Sequence, residues 1–322
     1  MTAPRVTVVM PAYNAAATIG AAVASVLWQD QPVELIVVDD GSTDDTARIT
    51  AAHGPRVHLV QQENLGVAAA RNAGIAVAGC DLIALCDADD LLFERHVSAL
   101  VDARARAGTT IATANSHWLL PGGIQPHKTR HRGHFPTPDE QRMTILQQNF
   151  VSTMSLFPRS LVDEIGGFDQ DMRRAEDWDF WMRAIYAGHR VAHQPRPLAL
   201  YRWSATGLSS NTAAFHDAEL EQLVRAEGWP GLTTEERAFV RRRIASPMPR
   251  TLTMEADAAL RAGRYAEARA KLRAAASLCP SEIMLVRKAR LMTVSARVFG
   301  PLLRSRQLRM ERDLRLDESL FR

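Results

Sequence analysis

The sequence has few of the features that mark secreted or membrane-spanning proteins. Three cysteines occur in 322 residues, an odd number without the spacing of a zinc module. No apolar run reaches the roughly 18 residues that a membrane-spanning helix needs. The first residues lead into a strand pattern and lack the charged and long apolar regions of a signal peptide. These absences disfavour a disulfide-rich secreted protein, an integral membrane protein and a structural zinc module, and they predict a cytoplasmic location.

A strong charge of one sign is also missing. The 39 Lys and Arg residues nearly balance the 36 Asp and Glu residues, which gives a net charge of +3. The balance changes along the chain, however, because residues 281–322 contain ten basic and five acidic residues. The rest of the chain therefore carries a small net negative charge, and the basic character belongs to the C-terminal segment.

Short apolar runs alternate with helical patterns in the first half of the chain. The runs are Val6–Met10, Leu35–Val38, Val57–Val60 and Leu82–Cys86. This alternation predicts an α/β fold with a Rossmann-like, mostly parallel sheet and helices on both faces. Ligands of such sheets bind beyond the carboxyl ends of the strands. Polar clusters at three of these ends therefore predict a site, and they are Pro11–Asn14, Asp39–Asp40 and Asp87–Asp90.

Strand patterns stop after about residue 212, and the remaining sequence is helical. This change predicts an α/β domain over residues 1–212 and an all-α extension over residues 213–322. Within the extension, residues 250–280 have the spacing of a tetratricopeptide-like hairpin, with an ordinary helical hairpin as the alternative.

The tail of the extension, residues 281–322, alternates arginines with apolar residues. This pattern predicts a basic amphipathic helix, which either lies on an anionic membrane surface or packs on the α/β domain. We expect no nucleic-acid binding, because no aromatic platform or recognition motif accompanies the arginines.

The triplet Asp87-Ala88-Asp89 follows the fourth apolar run. Side chains two positions apart in an extended segment face the same way, so both carboxylates lie on one side of the chain. Mg²⁺ and Mn²⁺ prefer carboxylate oxygens, and the triplet therefore predicts a metal site. The alternative is a solvated loop in which Asp89 or Asp90 caps the following helix.

Several short motifs occur in a fixed order along the first two thirds of the chain. They are VMPAYN at 9–14, VVDDGST at 37–43, NLGVAAARNAG at 64–74, LCDADD at 85–90, GGFD at 166–169 and AEDWDFW at 175–181. This set resembles the family 2 glycosyltransferases, which have the GT-A fold, over about residues 4–212. The resemblance implies an inverting transfer from a nucleoside diphosphate sugar to an acceptor hydroxyl, with Mn²⁺ or Mg²⁺ as the metal.

The resemblance also assigns residues to the nucleotide. Pro11, Ala12 and Tyr13 would line the nucleotide pocket, with Tyr13 near the base unless it is a core aromatic. Asp40 would accept a hydrogen bond from the base, with help from Asp39. A cap on the next helix is compatible with that role.

Three further residues would serve the diphosphate and the metal. Arg71 resembles the arginine on the diphosphate side, with a surface salt bridge as the alternative. Asp87 would face the ribose and the metal, and Asp89 would be the direct metal ligand. The metal would offset charge on the departing diphosphate.

Glu176 and Asp177 resemble the acidic pair of the family. The second acid of that pair acts as the general base on the acceptor hydroxyl, so Asp177 is the predicted base. An N-terminal helix cap is the alternative, because acidic residues favour that position.

Two features depart from the family pattern. Family members often have a histidine shortly after the Tyr-Arg of the last core strand, but Trp203 and Ser204 follow Tyr201-Arg202 here. Arg202 or Ser204 could substitute for it. The second feature is the basic, histidine-rich segment 127–134, which is a loop over the acceptor side, a zinc site or a solvated loop.

These observations predict a cytoplasmic, metal-dependent glycosyltransferase, peripheral at the inner face of the membrane if its tail binds lipid. Its acceptor would be a glycan or glycolipid in surface polysaccharide or glycolipid synthesis. One alternative is a metal-dependent nucleotidyltransferase, although the segment after the first strand is not a glycine-rich phosphate loop. The other is a non-catalytic interaction protein with a degenerate front domain.

Overall fold

A computed structural model of the protein describes residues 6–131, 133–172, 174–203, 212–245, 249–278 and 283–305. The chain divides into two compact units, residues 1–205 and 206–322. The boundary predicted at residue 212 stays a prediction, because residues 204–211 lie outside the described stretches.

The described part of the first unit combines a nine-stranded sheet with seven α-helices. The strands are β1 (Val6–Ala12), β2 (Val33–Asp40), β3 (His58–Gln62), β4 (Leu82–Leu85), β5 (Leu91–Leu92), β6 (Ile111–Leu120), β7 (Gly123–Thr129), β8 (Ser155–Pro158) and β9 (Val191–Arg202). The helices are α1 (Ile19–Leu27), α2 (Thr46–Ala51), α3 (Val67–Ala76), α4 (His96–Ala107), α5 (Gln141–Gln147), α6 (Ser160–Ile165) and α7 (Glu176–Tyr186).

The sheet is parallel in one half and mixed in the other. Its order is β3-β2-β1-β4-β8-β6-β9-β5, with β7 paired to β6. The strands β1 to β4 are mutually parallel, β8 runs antiparallel to β4 and β6, and β9 is parallel to β6. The predicted α/β fold is confirmed, and the mixed half is the detail that the sequence did not show. Apolar periodicity identifies strands but not their direction, which depends on the connections between them.

Helices α1 and α3 cover opposite faces of β1. Alternate residues of a strand point to opposite faces, and Val8 and Met10 belong to the core cluster that includes Ile19 of α1. Val9 points the other way, towards Gly74 of α3, where an added Cβ would collide with a Val9 methyl group. Gly74 therefore lets α3 approach the sheet closely.

The described residues of the second unit are helical, which confirms the predicted all-α extension. Its helices are α8 (Thr212–Glu227), α9 (Thr234–Ala245), α10 (Pro249–Arg261), α11 (Tyr265–Leu278) and α12 (Ile283–Val294), and residues 296–305 are helical as well. Helices α10, α11 and α12 share a small core of alanines, leucines and a methionine. In the stretches that the structure describes, no helix is both long and apolar enough to cross a lipid bilayer.

Helices α10 and α11 coincide with the predicted hairpin over residues 250–280, but its kinship to tetratricopeptide repeats stays a prediction. Residues 281–282 and 306–322 of the predicted tail lie outside the described part of the chain. The described part of the tail, residues 283–305, forms α12 and the helical segment that follows it.

Candidate active site

The loops after β1 and β2 are fastened to each other. The Asn14 N–H donates to Ser42 Oγ at 2.9 Å, and the Thr43 N–H donates to Asn14 Oδ1 at 2.8 Å. Asn14 has a φ of 47°, a left-handed conformation that asparagine tolerates better than most residues. The ends of these two parallel strands therefore form one continuous rim.

The residues predicted for the nucleotide pocket lie on this rim. Pro11 and Ala12 end β1 and are buried beside β2, where Ala12 pairs with Asp39. Tyr13 follows them and is 51% exposed. Its ring is therefore accessible to a ligand at the edge of the sheet and is not a core aromatic.

Asp40 is buried at the end of β2 and accepts three hydrogen bonds. Its Oδ1 accepts from Gln62 Nε2 at 2.7 Å and from the Leu65 N–H at 2.9 Å. Its Oδ2 accepts from the Gly66 N–H at 2.9 Å. Because Leu65 and Gly66 lead into α3, Asp40 fixes the start of that helix against β2. The neighbouring Asp39 is buried as well.

Arg71, in the middle of α3, joins two of the predicted acidic clusters. Its guanidinium donates from Nη2 to Asp87 Oδ1 at 2.9 Å and from Nη1 to Glu176 Oε1 at 2.6 Å. The residue is buried, so the predicted alternative of a surface salt bridge is wrong. Burial alone would lower the pKa of Arg71, but the charges of Asp87, Glu176 and Asp177 raise it above its ordinary value.

The acidic segment after β4 alternates between open and buried side chains. Asp87 and Asp89 are half-buried, whereas Asp90 is buried. Arg202, at the end of β9, holds this segment by donating its N–H to Asp90 Oδ1 at 2.8 Å and its Nε to the Asp89 carbonyl at 2.7 Å. Arg202 therefore supports the acidic segment, and Ser204 lies outside the described residues. Burial and the charge of Asp87 raise the pKa of Asp89 to about 6.

Helix α7 presents the second acidic pair from its first turn. Glu176 and Asp177 are its first two residues, where the partial positive charge of a helix N-terminus stabilises anions. The preceding Ala175 has a φ of 57°, which is rare for a residue other than glycine. This strained conformation sets the direction in which the helix begins, and strain of this kind is concentrated at functional sites.

The Asp177 carboxylate is held by two donors. Its Oδ2 accepts from Asn149 Nδ2 at 3.0 Å, and its Oδ1 accepts from the Trp178 N–H at 2.8 Å. Burial and the charge of Glu176 raise the pKa of Asp177 to about 6, although two arginines, Arg71 and Arg130, oppose the shift. The carboxylate is therefore ionised at neutral pH but more basic than an ordinary aspartate.

The GGFD segment is fastened between α3 and α7. Asn72 accepts from the Phe168 N–H at 2.8 Å and donates to the Phe168 carbonyl at 2.7 Å. A Cβ on Gly167 would lie 2.5 Å from the Asn72 side-chain oxygen, which explains the glycine. From the other side, Arg183 donates to the Gly167 carbonyl at 2.8 Å and to Asp179 at 2.7 Å.

The histidine-rich segment does not gather its histidines. His127 is exposed, His134 bonds Glu140 at 2.8 Å, and His131 is half-buried with its ring 5.6 Å from that of His193. Burial above all lowers the pKa of His131 to about 3. Within the described stretches, no three His, Cys, Asp or Glu side chains form a group that could hold a metal ion.

Two residues near the acids had no predicted role. Asn149 follows α5, and no local pattern distinguishes it from any other loop asparagine. Arg130 belongs to the basic segment 127–134, but its neighbours in space depend on the pairing of distant strands. Arg202 and the acids were found from their motifs.

Comparison with known proteins agrees with this geometry. The profile of the family described as Glycosyl transferase family 2 matches residues 7–166. Over these residues the chain is similar to the family 2 glycosyltransferases. That segment includes the loops after β1, β2 and β4 and ends at Gly166, the first glycine of GGFD, before α7.

Relatives of the chain include glycosyltransferases and polysaccharide-synthesis proteins. The succinoglycan biosynthesis protein ExoU of Rhizobium meliloti is 29% identical over 259 residues, which cover 74% of this chain and 73% of ExoU. The succinoglycan biosynthesis protein ExoO of the same organism is 29% identical and matches 74% of this chain and 69% of its own length. The uncharacterized glycosyltransferase YwdF of Bacillus subtilis is also 29% identical and covers 73% of this chain and 89% of YwdF.

Solved structures of glycosyltransferases share the fold. S. aureus TarS residues 1–349 in complex with UDP-GlcNAc have a TM-score of 0.60 at 16% identity, over 91% of this chain and 89% of that one. A longer TarS structure is covered over 54% of its length. The mannosyltransferase PcManGT of Pyrobaculum calidifontis, in complex with GDP-Man and Mn²⁺, has a TM-score of 0.60 at 21% identity, over 92% of this chain and 83% of that one.

Proposed function

We propose that the protein transfers a sugar from a nucleoside diphosphate sugar to an acceptor hydroxyl, with inversion at the anomeric carbon. The observation that carries this proposal is the bridge made by Arg71 between Asp87 and Glu176. This buried arginine places the acidic segment after β4 beside the acidic pair at the start of α7. The bridge therefore supports a donor site and a general base that are joined through one arginine.

Asp177 is the proposed general base. Its raised pKa of about 6 leaves it ionised at neutral pH and makes it a better proton acceptor than an ordinary aspartate. The acceptor oxygen attacks the anomeric carbon from the face opposite the diphosphate while its proton passes to Asp177. The bond from that carbon to the diphosphate oxygen breaks, and the electron pair leaves with the diphosphate. One direct displacement inverts the configuration and needs no enzyme nucleophile.

The carboxylates after β4 fit a divalent cation. Asp87 and Asp89 offer hard oxygen ligands from two half-buried side chains. Mg²⁺ is commonly held by one or two carboxylates, with its remaining ligands from substrate phosphates and water. When bound, Mn²⁺ or Mg²⁺ would offset the negative charge that builds on the departing diphosphate.

The rim formed by β1 and β2 is the proposed nucleotide pocket. Tyr13 offers an exposed ring for the base, next to the buried Pro11 and Ala12. Asp40 and Asp39 shape the pocket wall, since Asp40 holds the backbone that leads into α3. The structural neighbours TarS and PcManGT were solved with UDP-GlcNAc and GDP-Man, which supports a sugar nucleotide as the donor.

The proposed acceptor is a glycan or glycolipid of surface polysaccharide synthesis. This part of the proposal draws on ExoU and ExoO, whose names place them in succinoglycan biosynthesis. We propose that the enzyme works in the cytoplasm and contacts the inner face of the membrane. Residues 283–305 contain five basic and no acidic residues. They also expose an apolar stripe that suits an anionic lipid surface, formed by Leu291, Val294, Val298 and Leu302.

A donor screen tests the proposal. The protein is incubated with Mn²⁺ and UDP-, GDP-, dTDP- and CMP-sugars, and donor hydrolysis and thermal shift are recorded. We expect one nucleotide class to stabilise the protein and to be hydrolysed slowly. If none of the four classes binds, the proposal is wrong.

The variant Asp177→Asn tests the general base. We expect at least about a 100-fold loss of transfer with nearly unchanged nucleotide affinity, because the amide cannot accept the proton. The exposed residue Asp139→Asn is the matched control and should retain full activity. Equal losses of nucleotide affinity and transfer in the Asp177 variant would exclude its role as the base.

A further inference from the structure

The backbone of Arg130 is fixed to the sheet, although it lies in the basic segment after β7. Its N–H donates to the Ser116 carbonyl at 2.9 Å. The next residue, His131, exchanges two hydrogen bonds of 3.0 Å with the side chain of Asn115. Ser116 and Asn115 belong to β6. Arg130 therefore starts from a defined position on the sheet.

The side chain of Arg130 stacks on a ring beside the acidic segment. Its Cζ lies 4.8 Å from the centroid of Tyr201, and a cation over an aromatic face is attracted by the ring. Tyr201 immediately precedes Arg202, whose two hydrogen bonds hold Asp89 and Asp90. The stack thus places the guanidinium beside the residue that precedes Arg202, the anchor of the acidic segment.

Arg130 has an unused donor, and its charge acts on both acidic clusters. Its Nη1 is buried without a hydrogen-bond partner among the described residues, which is costly for a charged group. Burial raises the pKa of Asp90 and of Asp177, and the charge of Arg130 opposes both increases, so the guanidinium lies within electrostatic reach of both carboxylates. Arg71 differs, because two of its nitrogens are engaged by carboxylates.

We propose that Arg130 binds the diphosphate of the donor and stabilises its negative charge as it leaves. This inference rests on the function proposed above. A guanidinium presents its donors in a planar fork that matches phosphate oxygens. When the bond from the anomeric carbon to the diphosphate breaks, the electron pair remains on the diphosphate, and the N–H groups of Arg130 interact with the added charge without transferring a proton. Arg130 would supply a positive charge in place of the histidine that this chain lacks after Tyr201-Arg202.

Binding of inorganic pyrophosphate, UDP and GDP in the presence of Mn²⁺ tests this role by calorimetry. We expect Arg130→Met to weaken the binding of pyrophosphate by about 10- to 100-fold, the usual effect of losing a charged hydrogen bond. Whichever of UDP and GDP binds the unaltered protein should lose affinity to the same extent. Arg130→Lys should show an intermediate loss, because it keeps the charge but not the fork. Binding of the nucleoside alone should not change.

Arg142→Met is the matched control. The Arg142 Cζ lies 4.3 Å from the ring centroid of Tyr186, so it makes the same type of stack. Tyr186 ends α7 and Asp177 is near its start, and nine residues of helix span about 13 Å. The control therefore loses a stacked arginine away from the acids and should keep its pyrophosphate affinity.

The outcomes separate the inference from the function on which it rests. If the unaltered protein binds neither pyrophosphate nor a nucleoside diphosphate, the proposed function fails. If the unaltered protein binds and both Arg130 variants bind equally well, the inference is wrong. It is also wrong if Arg130→Met only shifts the pH profile of transfer or raises KM for the acceptor, because Arg130 would then act on Asp177 or on the acceptor. Thermal melting of each variant verifies that it is folded.

Discussion

At the proposed nucleotide end of the site, Asp40 accepts three hydrogen bonds, all from neutral donors. At the proposed reaction end, Asp177 accepts hydrogen bonds from an amide and a backbone N–H but lies beside Glu176, and its pKa is raised to about 6. A buried carboxylate with enough neutral donors fixes the backbone, whereas one crowded by another carboxylate becomes a base. Three substitutions of charged residues test this difference, and a fourth tests the packing of the GGFD segment. They follow from the largest expected effect to the smallest.

Arg71→Met should cause the largest loss of stability. It leaves Asp87 and Glu176 without their counter-ion, and removing one member of a buried ion pair costs about 3–5 kcal/mol of unfolding free energy. Urea unfolding measures the change. The exposed pair Arg48–Asp45 supplies the control, since Arg48→Met should leave the unfolding midpoint where it is. Equal effects of the two variants would show that the ion pairs of Arg71 do not stabilise the folded protein.

Asp40→Asn should destabilise the protein by about 2 kcal/mol, because an amide accepts hydrogen bonds less strongly than a carboxylate and places a donor near backbone N–H groups. The loss should be accompanied by faster hydrogen exchange at the start of α3. Asp45→Asn, on an exposed side chain, is the control. A stable Asp40 variant with unchanged exchange would remove the claim that this carboxylate fixes the backbone.

Unlike the two substitutions above, Asp177→Asn should increase the free energy of unfolding above pH 6. The folded-state pKa of Asp177 is raised from 3.8 to about 6, so the folded protein binds its proton more tightly than the unfolded chain, and the stability from this group is lost as pH rises through 6. The variant should therefore gain about 1–3 kcal/mol relative to the parent at pH 7.5 but not at pH 4. Unfolding at the two pH values measures this, and a pH-independent difference would contradict the raised pKa.

Gly167→Ala should have the smallest effect, a loss of about 1 kcal/mol. The added methyl group would press on the Asn72 side chain that fastens the GGFD segment, although a side chain can shift to relieve the contact. Gly231→Ala is the control, because the space around Gly231 is open. Thermal melting of both variants measures the difference. If the two substitutions behave alike, the close contact with Asn72 does not limit this position.

Much of the fold was accessible to sequence analysis because buried strands and helices have different apolar periods. The parallel half of the sheet and the all-helical extension follow from those patterns. The mixed half did not, since the direction of β8 depends on its connections and not on its own residues. Motif order also located the acids, which lie at strand ends and in the first turn of α7, and Arg71 in the middle of α3.

What the sequence determined by itself is the list of charged residues and their positions at the ends of strands and helices. The tertiary structure decided which charges meet. Arg71 and Glu176 are 105 positions apart in the chain yet 2.6 Å apart between their polar atoms. Arg130 stacks on Tyr201 only because β6 pairs with both β7 and β9. Electrostatic effects depend on distance and burial, and folding alone sets both.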